Sequence, residues 1–141
     1  MRIVVDTNIL ISALGWKDGK EYQILMKCFQ NELTLIVSPE ILEEFSRVAL
    51  RPKFKFTADE INEFKDKILE TCEITIPETV INVITEDTED NRILEAACSG
   101  NASFIISGNK RVLDVGEYQN IKILRSSEFL KFLKDKPENS Q

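Results

Sequence analysis

Residues 2–8 read RIVVDTN: a β-branched run stops at a carboxylate, Asp6, with Thr7 and Asn8 immediately behind it. A run of that composition is typical of a parallel strand buried on both faces. Sheets of this kind bind ligands beyond the carboxyl ends of their strands, which is where Asp6 would stand. Working outward, residues 8–14 begin a helix or turn that Gly15, Asp18 and Gly19 end. Residues 21–30 have helical spacing, with Tyr22, Leu25, Met26 and Phe29 on one side, and residues 33–37 supply a second apolar strand. Ser38 and Pro39 open a helix that runs to Ala49, as an N-cap and a proline at the first helical position. Residues 57–60, TADE, match a capping box, and Ile61, Phe64, Ile68 and Leu69 carry that helix toward Cys72.

Residues 73–84 lean toward strand but are broken by Pro77. Residues 87–98 read as a helix closed by Ser99 and Gly100, residues 103–106 and 121–124 as short strands, and Ser126 caps a last amphipathic helix through Leu133. This alternation predicts an α/β domain over residues 1–133, a three-layer α/β/α sandwich around a central, mainly parallel sheet of four or five strands. Residues 134–141 have nothing apolar to bury and are expected to form a disordered tail.

Composition narrows the chemistry. At 141 residues and 43% hydrophobic content the chain suits one core. No apolar run approaches the roughly 18 residues of a membrane span, and no signal-peptide pattern is present, so a cytoplasmic protein without a membrane partner is expected. Cys28, Cys72 and Cys98 are too scattered for a disulfide framework or a zinc site. The chain has no histidine, which excludes Ser/His/Asp and Cys/His nucleophile systems. A net charge of −6 argues against coating nucleic acid through a large basic surface, but not against a local acidic metal site.

Catalysis would then rest on carboxylates, and helical phase sorts the acids. In the helix from Pro39, Glu44 flanks the stripe of Ile41, Leu42, Phe45, Val48 and Ala49, whereas Glu43 lies nearly opposite. In the helix after Asp87, which makes the better N-cap, Asp90 continues the stripe of Ile93, Leu94 and Ala97, while Asn91 and Glu95 are expected to point away. Strand ends and helix starts share one sheet edge, so Asp6, Asp90 and the loop of residues 107–109 converge there, within reach of Glu44. Three carboxylates without histidine suit Mg²⁺ or Mn²⁺ and phosphoryl chemistry. A phosphoacceptor or phosphatase-like domain with Asp6 as nucleophile is an alternative, though it would favour a second acid close behind Asp6, and Thr7 and Asn8 stand there instead.

Four segments, IVVDTNILISAL at residues 3–14, SPEILEEFSRVALRPKF at 38–54, EDNRILEAACSGNASFIISGNKRVLDVGEYQNIKIL at 89–124 and SSEFLKFL at 126–133, together resemble a PIN domain. The likeness is to the bacterial and archaeal group of VapC-type ribonucleases, toxin components of toxin–antitoxin systems. The resemblance implies a metal-dependent endoribonuclease using Mg²⁺ or Mn²⁺ held by Asp6, Glu44 and Asp90. It also implies that Asn8 orients the first aspartate, that Ser107 fills a Ser/Thr slot, and that a cognate antitoxin and a homodimer are to be expected. Many relatives carry two further aspartates where this chain reads SGNKR, placing Asn109 and Arg111 there. Asn109 offers a carbonyl oxygen but no charge. Asp114 is near but out of register, and Lys110 and Arg111, with Arg47, Arg51, Lys53 and Lys55, can contact an RNA backbone. The missing acid leaves open a degenerate domain that binds RNA or protein without cutting.

Overall fold

The structure, a computed structural model, describes residues 1–135. Six strands form one sheet: β1 (Arg2–Val5), β2 (Thr34–Val37), β3 (Glu73–Ile74), β4 (Phe104–Ile106), β5 (Glu117–Tyr118) and β6 (Ile121–Leu124), in the order β3-β2-β1-β4-β6-β5. All neighbours are parallel except β5, which pairs antiparallel with β6. The four strands read from sequence are present. Two edge strands of two residues complete the sheet: β3, the start of the stretch of residues 73–84 that leaned toward strand, and β5, too short to carry a pattern of its own.

Among the described residues, seven α-helices connect and cover the sheet: α1 (Thr7–Gly15), α2 (Lys20–Phe29), α3 (Pro39–Ala49), α4 (Ala58–Thr71), α5 (Asn91–Ser99), α6 (Lys110–Leu113) and α7 (Ser126–Asp135). Helices α1 to α4 pack on one another, α7 returns to α2, and α5 lies against β1, β2 and β4. Ser38 caps α3 through the backbone N–H of Ile41, and Thr57 and Glu60 form both halves of the capping box of α4. Helix α7 continues to Asp135, two residues into the stretch expected to be a tail, because Leu133 still packs against the core. The rest of that stretch, 136–141, lies outside the described residues. The three middle strands bury nearly every side chain, as their composition required. Cys28 is a core thiol whose burial pushes its pKa up to about 12, which disfavours the thiolate.

Between β3 and α5 the chain crosses as an irregular strap, residues 75–87, and here one expectation holds only at its start and another fails. Only Glu73–Ile74 pairs with β2, because Pro77 interrupts the ladder. Asn91 and Glu95, expected to face away from the core, are 1% and 6% exposed. The strap covers their face of α5 and needs their polar groups, since beyond Thr75, whose N–H donates to the Val37 carbonyl at 2.9 Å, its backbone makes no bond to the sheet among the described residues. The Asn91 amide donates to the Ile84 carbonyl at 2.8 Å while its oxygen accepts from the Ile84 N–H at 2.9 Å. Glu95 accepts from the Ile81 N–H at 3.0 Å. Ile81 and Ile84 are thereby seated in the core.

Asn91→Ala leaves two buried backbone groups of Ile84 unpaired and should lower unfolding free energy by about 2–4 kcal/mol in urea denaturation. An unchanged midpoint would show that water replaces the clamp without cost.

Candidate active site

The site forms where the chain reverses its direction of travel across the sheet, between β1 and β4. Val5 pairs with Ile106, so the residues that leave these strands, Asp6 and Ser107, emerge side by side. Asp6 is 7% exposed, and its Oδ2 accepts from the Ser107 hydroxyl at 2.7 Å. Although it occupies the N-cap position of α1, its side chain does not cap that helix. Burial pushes the Asp6 pKa up, and the charge of Asp90 adds to the rise. Ser107 and the backbone N–H groups of Asn8 and Thr7 pull against it. A buried carboxylate so thinly compensated favours a cation beside it.

Glu44 reaches the same edge from α3. It is half-buried, and its Oε2 accepts from the Thr7 hydroxyl at 2.9 Å. Burial raises its pKa, Thr7 opposes the rise, and the negative charge of Asp6 reinforces it. Asp90 arrives at the junction of a 3-10 turn (Thr88–Asp90), capped by Asp87, with α5. Its side chain is 15% exposed and both oxygens are engaged: the Asn109 amide donates to Oδ1 at 3.2 Å, and Arg111 Nε to Oδ2 at 2.6 Å. Among the described residues, no three acids are already drawn close enough together to enclose one ion.

The loop of residues 107–111 connects these groups. Asn109 donates its backbone N–H to Ser107 Oγ at 3.0 Å, accepts from the Arg111 N–H at 3.0 Å as N-cap of α6, and holds Asp90 with its amide. Arg111 also approaches Asp87 at 3.5 Å, and its bond to Asp90 holds its own pKa up. Lys110 turns outward to Asp114 at 2.8 Å. An open cleft of about 340 Å³ adjoins Glu44, which lines it with Glu89, Arg47 and Arg92, among others, while Asp6, Asp90 and the loop of residues 107–111 lie outside that lining.

Asp6, Glu44, Asp90, Ser107, Asn109 and Arg111 are thus brought to one edge. Asn8 departs from its expected place. As the second residue of α1 it is exposed, its side chain makes no hydrogen bond to Asp6 among the described residues, and Ser107 steadies the aspartate instead. Thr7 was not singled out from sequence. Its only signal was adjacency to Asp6, since its contact with Glu44 joins residues 37 apart.

With this geometry in hand, comparison with known proteins is specific. A family model described as PIN domain matches residues 2–111. An uncharacterised protein of Methanocaldococcus jannaschii is 29% identical over 118 residues, covering 82% of this chain and 75% of that protein. A chain from the crystal structure of VapBC2 from Rickettsia felis, solved bound to a DNA fragment from their promoter, superposes with a TM-score of 0.60 at 18% identity. It covers 87% of this chain and 97% of its own length, a likeness of fold.

The raised pKa of Asp6 means that folding disfavours its ionised form. The penalty is full above the raised value and disappears as pH falls below the ordinary carboxylate range. Without divalent cation, Asp6→Asn should therefore raise the melting temperature at pH 7, and the gain should shrink as the solution is acidified. A lower melting temperature for the variant at pH 7 would show that the carboxylate is already compensated.

Proposed function

The chain belongs to the PIN-domain family, a family of nucleases, and from that premise we propose that it is an endoribonuclease whose acid cleft takes Mg²⁺ or Mn²⁺. The observation that carries the reading is Asp6, a buried carboxylate with one side-chain donor at the same sheet edge as Glu44 and Asp90. The donor set is all oxygen, without nitrogen or sulfur, and fits a hard divalent cation. Asp6 and Asp90 would hold the ion, with Glu44 as ligand directly or through water.

Such an ion supplies a water made nucleophilic near neutral pH and charge to offset that of a phosphate. The remaining work falls to the protein. Ser107 and Thr7 fix the rotamers of Asp6 and Glu44, Asn109 holds Asp90, and Arg111 carries positive charge to the side of Asp90, where a scissile phosphate would approach. Arg111, bonded to Asp90, would share that carboxylate with a bound cation and supply positive charge where a second cation would otherwise stand. We extend the proposal to the protein's setting, as a cytoplasmic toxin that pairs with a cognate antitoxin and forms a homodimer. No described helix is long and apolar enough to cross a membrane.

A second reading, a PIN domain that binds RNA or protein without cutting, draws on one observation: Asn109 and Arg111 occupy both oxygens of Asp90. Calorimetric titration with Mn²⁺ separates the two. The nuclease should bind the ion at millimolar concentration or below, and a chain that does not bind it there is the module.

Asp6→Asn and Asp90→Asn should each lower Mn²⁺-dependent cleavage of single-stranded RNA by about 10³-fold or more while far-UV circular dichroism is unchanged. Cleavage retained by either folded variant would defeat the assignment of that residue.

A further inference from the structure

Trp16, the chain's single tryptophan, ends α1 64% exposed and is not among the side chains packed on the core. Phe54 and Phe56, half-buried with one side packed on the core, stack nearby with ring centroids 5.6 Å apart and planes 8° from parallel. Phe56 lies over Gly15, where an added Cβ would meet its ring at 3.3 Å, and this joins the stack to the end of α1. Lys55, between the two rings, adopts the left-handed conformation at φ 57° and ψ 27°. That conformation is disfavoured for a non-glycine residue, and it turns the chain so that rings two residues apart meet. Lys53 sits over Phe54 with Nζ 5.1 Å from the ring centroid.

The surrounding charge runs against the chain's balance. Residues 45–56 carry Arg47, Arg51, Lys53 and Lys55 and no acid, in a protein of net charge −6. Arg51, Lys53 and Lys55 are exposed and make no ion pair among the described residues. Lys17 beside Trp16 adds a cation, partly answered by Glu60, which is itself committed to capping Thr57. Glu44, Arg47 and Arg51 recur at helical spacing along one side of α3 and its end, so the cations lead away from the acid cleft over about 10 Å. The nine residues of α1 place Trp16 about 14 Å from Asp6 along the same pair of helices.

We propose that Trp16, Phe54 and Phe56 form a stacking shelf for single-stranded RNA outside the cleft, with Arg47, Arg51, Lys53 and Lys55 along its phosphates. Aromatic faces interleaved with cations suit unpaired bases on a charged backbone. Protein interfaces share the enrichment in aromatic residues and arginine but are depleted of lysine, and here Lys53 and Lys55 flank the rings. This inference rests on the reading of the substrate as RNA.

The test titrates the wild-type chain, in EDTA to prevent cleavage, with a 12-nucleotide oligouridine while Trp16 emission is followed. Quenching is expected, with the midpoint raised at least tenfold in the surface double variant Lys53→Glu/Lys55→Glu. Engaging three or four phosphates should also cost about 20–50-fold in affinity between 50 and 200 mM salt. Emission that stays constant while fluorescence anisotropy of labelled RNA reports binding would overturn the shelf, as would a midpoint indifferent to the charge reversal. A surface built for a protein partner gives that same constant emission. Failure of the nuclease reading looks different: RNA survives Mn²⁺ while Trp16 still responds to it, which supports the shelf and removes the cleavage.

Discussion

The parallel pairing of β1 with β4 is the constraint on which the site depends. Because Val5 sits opposite Ile106, the chain leaves both strands at the same height, and Asp6 meets the hydroxyl of Ser107 inside the protein. A one-residue slip in that register would turn Asp6 to the other face. The register is held by strands that bury nearly all their side chains, so the apolar core fixes the position of a carboxylate that is itself unfavourable to bury. Stability from the sheet offsets the cost of charge at its edge, a local conflict of the kind functional sites contain.

The loop after β4 then determines what kind of site this is. Asn109 links Ser107 to Asp90, and Arg111 completes the shell around Asp90, so the first and third acids are positioned by one five-residue segment. Where many PIN domains are expected to place more negative charge, this chain places an amide and a guanidinium. The cleft is consequently less acidic than a four-carboxylate site, which lowers the repulsion that a second cation would otherwise relieve.

Much of this was legible in the sequence, for identifiable reasons. Helix α3 could be delimited to the residue because Ser38, Pro39 and the turn after Ala49 are strong local signals. Asp6, Glu44 and Asp90 stood out because strand ends and helical phase are periodic properties. What could not be read were contacts between distant segments. The burial of Asn91 and Glu95 follows from a strap whose path no periodicity encodes, and helical phase alone assigned them to solvent. The two-residue edge strand β5 and the four-residue α6 are shorter than any repeat that could announce them. Asn8 was misplaced for a related reason, since the start of α1 at Thr7, one residue earlier than expected, turns its side chain outward.

The central claim is that Asp6 and Asp90 share a divalent cation at the β1–β4 edge. Anomalous scattering from a crystal of the wild-type chain grown with Mn²⁺ tests it most directly. The account predicts a single anomalous peak within bonding distance of carboxylate oxygens from both residues, with Arg111 still adjacent to Asp90. No peak at that edge, or one held by other acids, would contradict it.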